Sequence, residues 1–174
     1  ELIKDGLVQA VVWNKLYKRV FIDNLRFKVG KLNEDEFFTY KICAKAERIV
    51  YTPEALYQYR QREDSIMGTY SLKRLDSVDA LYERLQFIKL NFPKLYNYEK
   101  IIFCNVCIYN YQMLLKSDMS NKEAKKRLIK YRKEIHFRVR DLKNINIQQK
   151  VYILLSKVSL DLCCRLRNKL QIGY

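Results

Sequence analysis

Residues 71–116 read SLKRLDSVDALYERLQFIKLNFPKLYNYEKIIFCNVCIYNYQMLLK. Apolar side chains recur at helical spacing with Lys and Arg between them, the signature of helices that bury one face. Pro93 interrupts the run, because proline disfavours helix in the residue before it. The stretch therefore predicts two helices, 71–92 and 94–116. The same periodicity over 121–134 and 147–170 predicts two more, with polar breaks at 118–121 and 141–146. Only four Gly and two Pro occur in 174 residues, too few for the turns of a sheet-rich chain, so an all-β fold is excluded.

Ahead of this half the pattern is mixed. Residues 7–22 read as a short buried strand or helix followed by a helical turn. Gly30 offers a turn, Asn33 an N-cap, and Phe37, Phe38, Tyr40, Ile42 and Ala44 the apolar content of a helix running to about Glu47. Two strand-like pieces, 48–51 and 56–60, flank the turn signal Thr52-Pro53-Glu54. The expected architecture is an α-rich α/β chain in two parts, 1–70 and 71–174, the second a basic helical domain.

The charge divides the same way. Residues 1–70 carry 12 Lys and Arg against 10 Asp and Glu, and residues 71–174 carry 22 against 9. A basic half rich in Tyr and Phe suits nucleic acid, anionic lipid head groups or a phosphate-bearing substrate, and charge alone does not choose among them. The five cysteines, 43, 104, 107, 163 and 164, fall mostly among apolar residues of helical pattern. Reduced, buried thiols of a cytoplasmic protein are expected. Cys104-Asn105-Val106-Cys107 has the spacing of a zinc or redox half-site without a second pair, and reads as core. No apolar run approaches the ~20 residues that span a bilayer, so any membrane contact is peripheral. The start at Glu1, without an initiator Met, gives the expectation of a fragment or a processed product.

Four short motifs occur in order between Val12 and Met67: Trp13-Asn14-Lys15-Leu16-Tyr17-Lys18-Arg19; Arg26-Phe27 with Gly30; Glu34-Asp35-Glu36; and Tyr57-Gln58-Tyr59-Arg60-Gln61-Arg62 with Ser65-Ile66-Met67. Together they resemble the second half of a family 2 glycosyltransferase catalytic domain, over roughly a third of the chain. The resemblance implies the C-terminal, acceptor-side portion of a GT-A nucleotide-sugar-binding fold in residues 1–70, with the helical bundle of 71–174 after it. It also implies a bacterial cell-surface polysaccharide enzyme that moves a sugar from a nucleoside-diphosphate donor to a glycan or lipid-linked acceptor, leaning toward inversion. Family members usually hold a divalent metal, Mn or Mg, through an upstream Asp-x-Asp motif. This sequence contains no such motif, so the metal is expected in the full-length enzyme and not in this chain, which is expected to be inactive and prone to self-association.

The residues support roles on their own chemistry. Attack of a sugar hydroxyl on an anomeric carbon needs a group to take the proton, and a carboxylate can be that general base. Asp35 fits: in the first turn of a helix it would feel a dipole that favours the ionised form. Glu34 would orient the acceptor. The alternative is that Glu34, Asp35 and Glu36 only complement a helix terminus. Arg60 and Arg62 alternate onto one face of an extended strand, and by resemblance that segment closes over the diphosphate, whose oxygens suit a guanidinium. Ser65 is a weaker candidate beside them. Trp13, the sole tryptophan, is either a platform for a sugar ring or a core residue, and Lys15 either contacts a phosphate or is solvated.

In the basic half, 151–174 joins an apolar stripe to Lys157, Arg165, Arg167 and Lys169, as an interfacial helix on the inner face of a membrane would. A bundle helix with a wet polar face is the competing reading. A different function class stays open: a basic helical module that binds nucleic acid or a partner without catalysis. No helix-turn-helix, zinc or RNA-recognition signature supports nucleic acid.

Overall fold

The computed structural model describes residues 9–58, 60, 70–117 and 121–173. It divides into two compact units, Glu1–Arg84 and Leu85–Tyr174.

In the first unit, 3-10 turns at Arg19–Phe21 and Glu34–Phe37 precede a short helix α1, Thr39–Lys45. Gly30 (φ 76°) and Asn33 (φ 58°) both take left-handed backbone, the conformation Gly enters freely and Asn tolerates. The Gly30 turn matches the sequence reading. Asn33 does not: it makes no side-chain cap, since a left-handed residue aims its side chain away from the amides of the next turn. The core gathers Phe37, Phe38, Tyr40 and Ile42. Phe27 stacks on Phe38 at 4.3 Å, and Tyr17 meets the Phe38 ring edge-on.

Helix α2, Leu75–Asn91, follows a 3-10 turn at Leu72–Arg74. Its first turns belong to this unit because their carboxylates meet the unit's cations. Lys31 binds Asp76 at 2.7 Å, Lys41 binds Glu83 at 2.7 Å, and Lys28 also reaches Glu83. Arg84, almost fully buried, binds Glu36 at 3.1 Å. The part-exposed lysine pairs contribute on the order of 0.2–1 kcal/mol each, and the buried Arg84 holds the 34–37 turn against α2 through Glu36. The units therefore divide inside α2, beyond the change of charge and periodicity near Tyr70.

No β-strand forms among the described residues. Residues 48–51 and 56–58, read from sequence as strands, are neither helical nor paired; Tyr59 lies outside the described residues. The β-branched and aromatic content suits a strand, but a strand needs a ladder partner to satisfy its amides. Ile49, Val50, Tyr51 and Leu56 are all left exposed.

The second unit is helical. α3, Tyr96–Lys116, packs on α4, Lys122–Glu134, and on α6, Leu160–Lys169; α5, Ile147–Val158, packs on α6 and touches α3 and α4. Phe103, Cys104, Cys107, Ile108, Leu128, Ile153, Cys163 and Cys164 fill the centre. All five cysteines are free thiols, and burial pushes Cys104 and Cys107 up, so both stay neutral. Arg132, 1% exposed, donates to Ser156 Oγ (2.8 Å) and to the carbonyls of Ile135 (3.1 Å) and Ile153 (2.6 Å), tying α4 to α5. Asn121 and Asn146 cap α4 and α5 by accepting from the amides of Ala124 and Gln149.

The run 147–170, read from sequence as one helix, is two. Ser159 is extended (φ −149°, ψ 113°), and its hydroxyl accepts from the Leu162 amide at 3.1 Å. Serine offers the backbone this competing hydrogen bond, so the apolar period continues while the helix stops and restarts.

Candidate active site

The Glu34–Phe37 turn carries the acidic triplet. Its three carboxylates face different partners. Glu36 is held by Arg84, and Asp35 accepts the Glu36 amide at 2.9 Å, which orients its carboxyl group. Glu34 is half-buried beside it. Asp35 is also half-buried, and its pKa is raised, by burial first and by the neighbouring Glu34 charge second; amide hydrogen bonds and the Lys15 charge pull the other way. The sequence expectation that Asp35 sits in the first turn of an α-helix, whose dipole favours the ionised form, is corrected. The α-helix begins only at Thr39, and four residues of 3-10 turn align too few peptide dipoles to outweigh desolvation.

Asp35 and Cys43 each lie within electrostatic reach of Lys15 and of Tyr17. The grouping is tertiary: the Thr39 hydroxyl donates to the Ala10 carbonyl across 29 residues of chain, drawing the 10–17 segment onto the turn. Lys15 sits inside its own loop. Its ammonium donates to the carbonyls of Gln9 and Val11, each at 2.6 Å, and to Asn14 Oδ1 at 2.7 Å, which accounts for all three donors. Burial lowers its pKa, against the Cys43 and Asp35 charges. Lys15 thus acts as a loop staple and supplies positive potential to Asp35, and its hydrogen-bonding capacity is already used. The Tyr17 hydroxyl is buried beside the Thr39 side chain but outside good hydrogen-bond geometry, and burial raises its pKa, the Thr39 hydroxyl opposing and the Cys43 and Asp35 charges adding to the rise. Sequence reading gave Tyr17 and Cys43 no role. Tyr17 stood within a quoted motif, but nothing in the spacing placed Cys43 opposite Lys15.

Trp13 stacks on Tyr57, centroids 4.3 Å apart with 28° between the planes, and the two rings are 42% and 50% exposed. Trp13 is therefore not a core residue, and it shares its surface with Tyr57. Arg60 is exposed, and no contact links it to the Asp35 group among the described residues. Arg62 and Ser65 lie outside the described residues. For a divalent metal the donor set does not fit: no group of three or more His, Cys, Asp or Glu is placed to hold an ion among the described residues, with Glu36 committed to Arg84. The arrangement can orient a carboxylate of raised basicity, and the same unit carries a half-exposed aromatic pair.

Comparison with known proteins points the same way. Over 89 residues, 51% of the chain, the sequence is 36% identical to glycosyltransferase GlyA of Streptococcus pneumoniae, covering 12% of that protein. Over 118 residues, 61% of the chain, it is 33% identical to EpsH of Bacillus subtilis, provisionally assigned as a glycosyltransferase, covering 34% of it. The chain thus spans about a third or less of the length of these curated relatives. No family model matches, and no solved structure matches. Both likenesses are to proteins that carry the glycosyltransferase name.

Proposed function

We propose that this chain is the acceptor-side part of an inverting, family 2-like glycosyltransferase of GT-A type, acting on a nucleoside-diphosphate sugar and a glycan or lipid-linked acceptor in cell-surface polysaccharide synthesis. The observation that carries the reading is the Asp35 carboxylate, half-buried, fixed by the Glu36 amide and raised in pKa. A base is most effective when its pKa lies nearer the working pH, and desolvation moves a carboxylate in that direction.

In the reaction the acceptor hydroxyl oxygen forms the new bond to the anomeric carbon and its proton passes to Asp35. The bond from that carbon to the diphosphate oxygen breaks, and the nucleoside diphosphate leaves with the electron pair. A single displacement inverts the configuration. Glu34 orients the acceptor, and the Trp13–Tyr57 pair offers the face on which a sugar ring rests. Arg60 and Arg62 offset the charge that grows on the leaving group. In the complete enzyme a divalent metal, Mn or Mg, would offset the charge of the donor diphosphate.

The test compares two variants in the complete enzyme. Asp35→Asn keeps the shape and the acceptor for the Glu36 amide but removes the base, so kcat should fall on the order of 10²- to 10⁴-fold with donor KM little changed. Arg62→Ala should raise donor KM and lower kcat together. Near-normal turnover in folded Asp35→Asn would reduce the acidic triplet to a structural turn.

A further inference from the structure

Helix α5 is apolar on the side that faces away from its neighbours. Ile153 and Ser156 are buried against the bundle. Ile147, Val151, Leu154 and Val158, spaced four, three and four residues apart and so on one face, are exposed, Ile147 by 75% and Val158 by 85%. On α6, Cys163 and Cys164 turn inward while Leu162, Leu166 and Leu170 form a second uncovered row, Leu170 61% exposed. An ordinary bundle helix would carry polar residues on its outer face. Two consecutive helices that instead leave seven large apolar side chains in water imply a missing cover.

The charges around the rows identify it. Residues 147–170 hold Lys150, Lys157, Arg165, Arg167 and Lys169 against Asp161 alone. Asp161 is neutralised by Arg165 at 2.6 Å. Arg167 turns inward to Gln112 and the Tyr152 ring, leaving Lys150 and Lys157 bordering the α5 row and Lys169 beside the leucines. A second copy would bring like charge against like. A layer that is apolar at depth and anionic at its surface complements both features. The helices are 12 and 10 residues long, about half of what spans a bilayer, and no helix among the described residues is long and apolar enough to cross one. We propose that the outer faces of α5 and α6 seat in the head-group layer of an anionic membrane, with the apolar rows inserted and the lysines on the phosphates. This surface uses none of the Asp35 group and stands apart from the catalytic reading.

The test is vesicle flotation of the 174-residue chain on phosphatidylglycerol–phosphatidylcholine vesicles and on phosphatidylcholine alone. Binding to the anionic vesicles should be tighter by about ten-fold or more. The exposed-pair variants Val151→Gln with Leu154→Gln, and Leu162→Gln with Leu166→Gln, should each weaken it by about ten-fold or more at unchanged helicity. Lys157→Gln with Lys169→Gln should remove most of the lipid preference. On the unsubstituted chain, anionic vesicles should protect amides of 147–170 from exchange. Absence of vesicle binding or of that protection overturns the proposal. So does binding untouched by the apolar pairs, which would be generic polycation behaviour. A concentration-dependent dimer dissolved by the apolar pairs would make the cover a second copy, and preferential salt-sensitive binding to duplex oligonucleotide would make the partner nucleic acid.

Discussion

Asp35 is held in a form that costs the fold something. Its pKa is raised in the folded state, by burial first and Glu34 second, so the folded protein holds this proton more tightly than the unfolded chain does. As pH rises from the ordinary carboxylate value through the raised one, ionisation destabilises the fold, and above that window the penalty is complete. Asp35→Asn should therefore raise the thermal midpoint at neutral pH, by about 1–2 °C given that the site is half-exposed and partly screened, and change nothing near pH 3. A lowered midpoint at neutral pH would mean the carboxylate is a net structural asset. The acidic triplet was legible in the sequence because its flanking motifs occur in order. The environment of Asp35 was not, because Lys15 and Tyr17 reach it on a segment drawn in by the Thr39–Ala10 bond, a contact without local signature. Lys15 shows the same limit: its three acceptors are loop oxygens, two of them backbone carbonyls, which composition does not encode.

Where helices begin and end was decided by single polar side chains. Pro93, Asn121 and Asn146 marked boundaries that could be read directly, since each acts within a turn of its own position. Ser159 could not be read, because the apolar period of 147–170 passes through it unbroken and only the Leu162 cap shows that α6 starts afresh. Ser159→Ala should cost about 1 kcal/mol in urea unfolding, with the m-value unchanged. A loss under a few tenths would mean that packing, not the hydroxyl, enforces the break. The strand-like pieces 48–51 and 56–58 failed in the opposite sense. Their β-branched and aromatic content suits a strand, yet Val50 and Leu56 are exposed and unpaired, because a ladder depends on a partner that a sequence window does not contain.

At the scale of the molecule, charge and chemistry lie in different regions. The acidic turn and the Trp13–Tyr57 pair fall within residues 9–60, while the basic excess falls in 71–174. The architecture of the helical half followed from period and caps, and the outward apolar rows of α5 and α6 became visible only when burial showed which side each helix turns inward. The glycosyltransferase account depends most on Asp35 taking a proton during the chemical step, and its pKa gives that step a pH signature. The direct measurement is the pH dependence of kcat for the complete enzyme and for Asp35→Asn. The account expects turnover of the native enzyme to fall on the acid side at an apparent pKa above the ordinary aspartate value, and the residual rate of the variant to lack that limb. An acid limb unchanged in Asp35→Asn would contradict it.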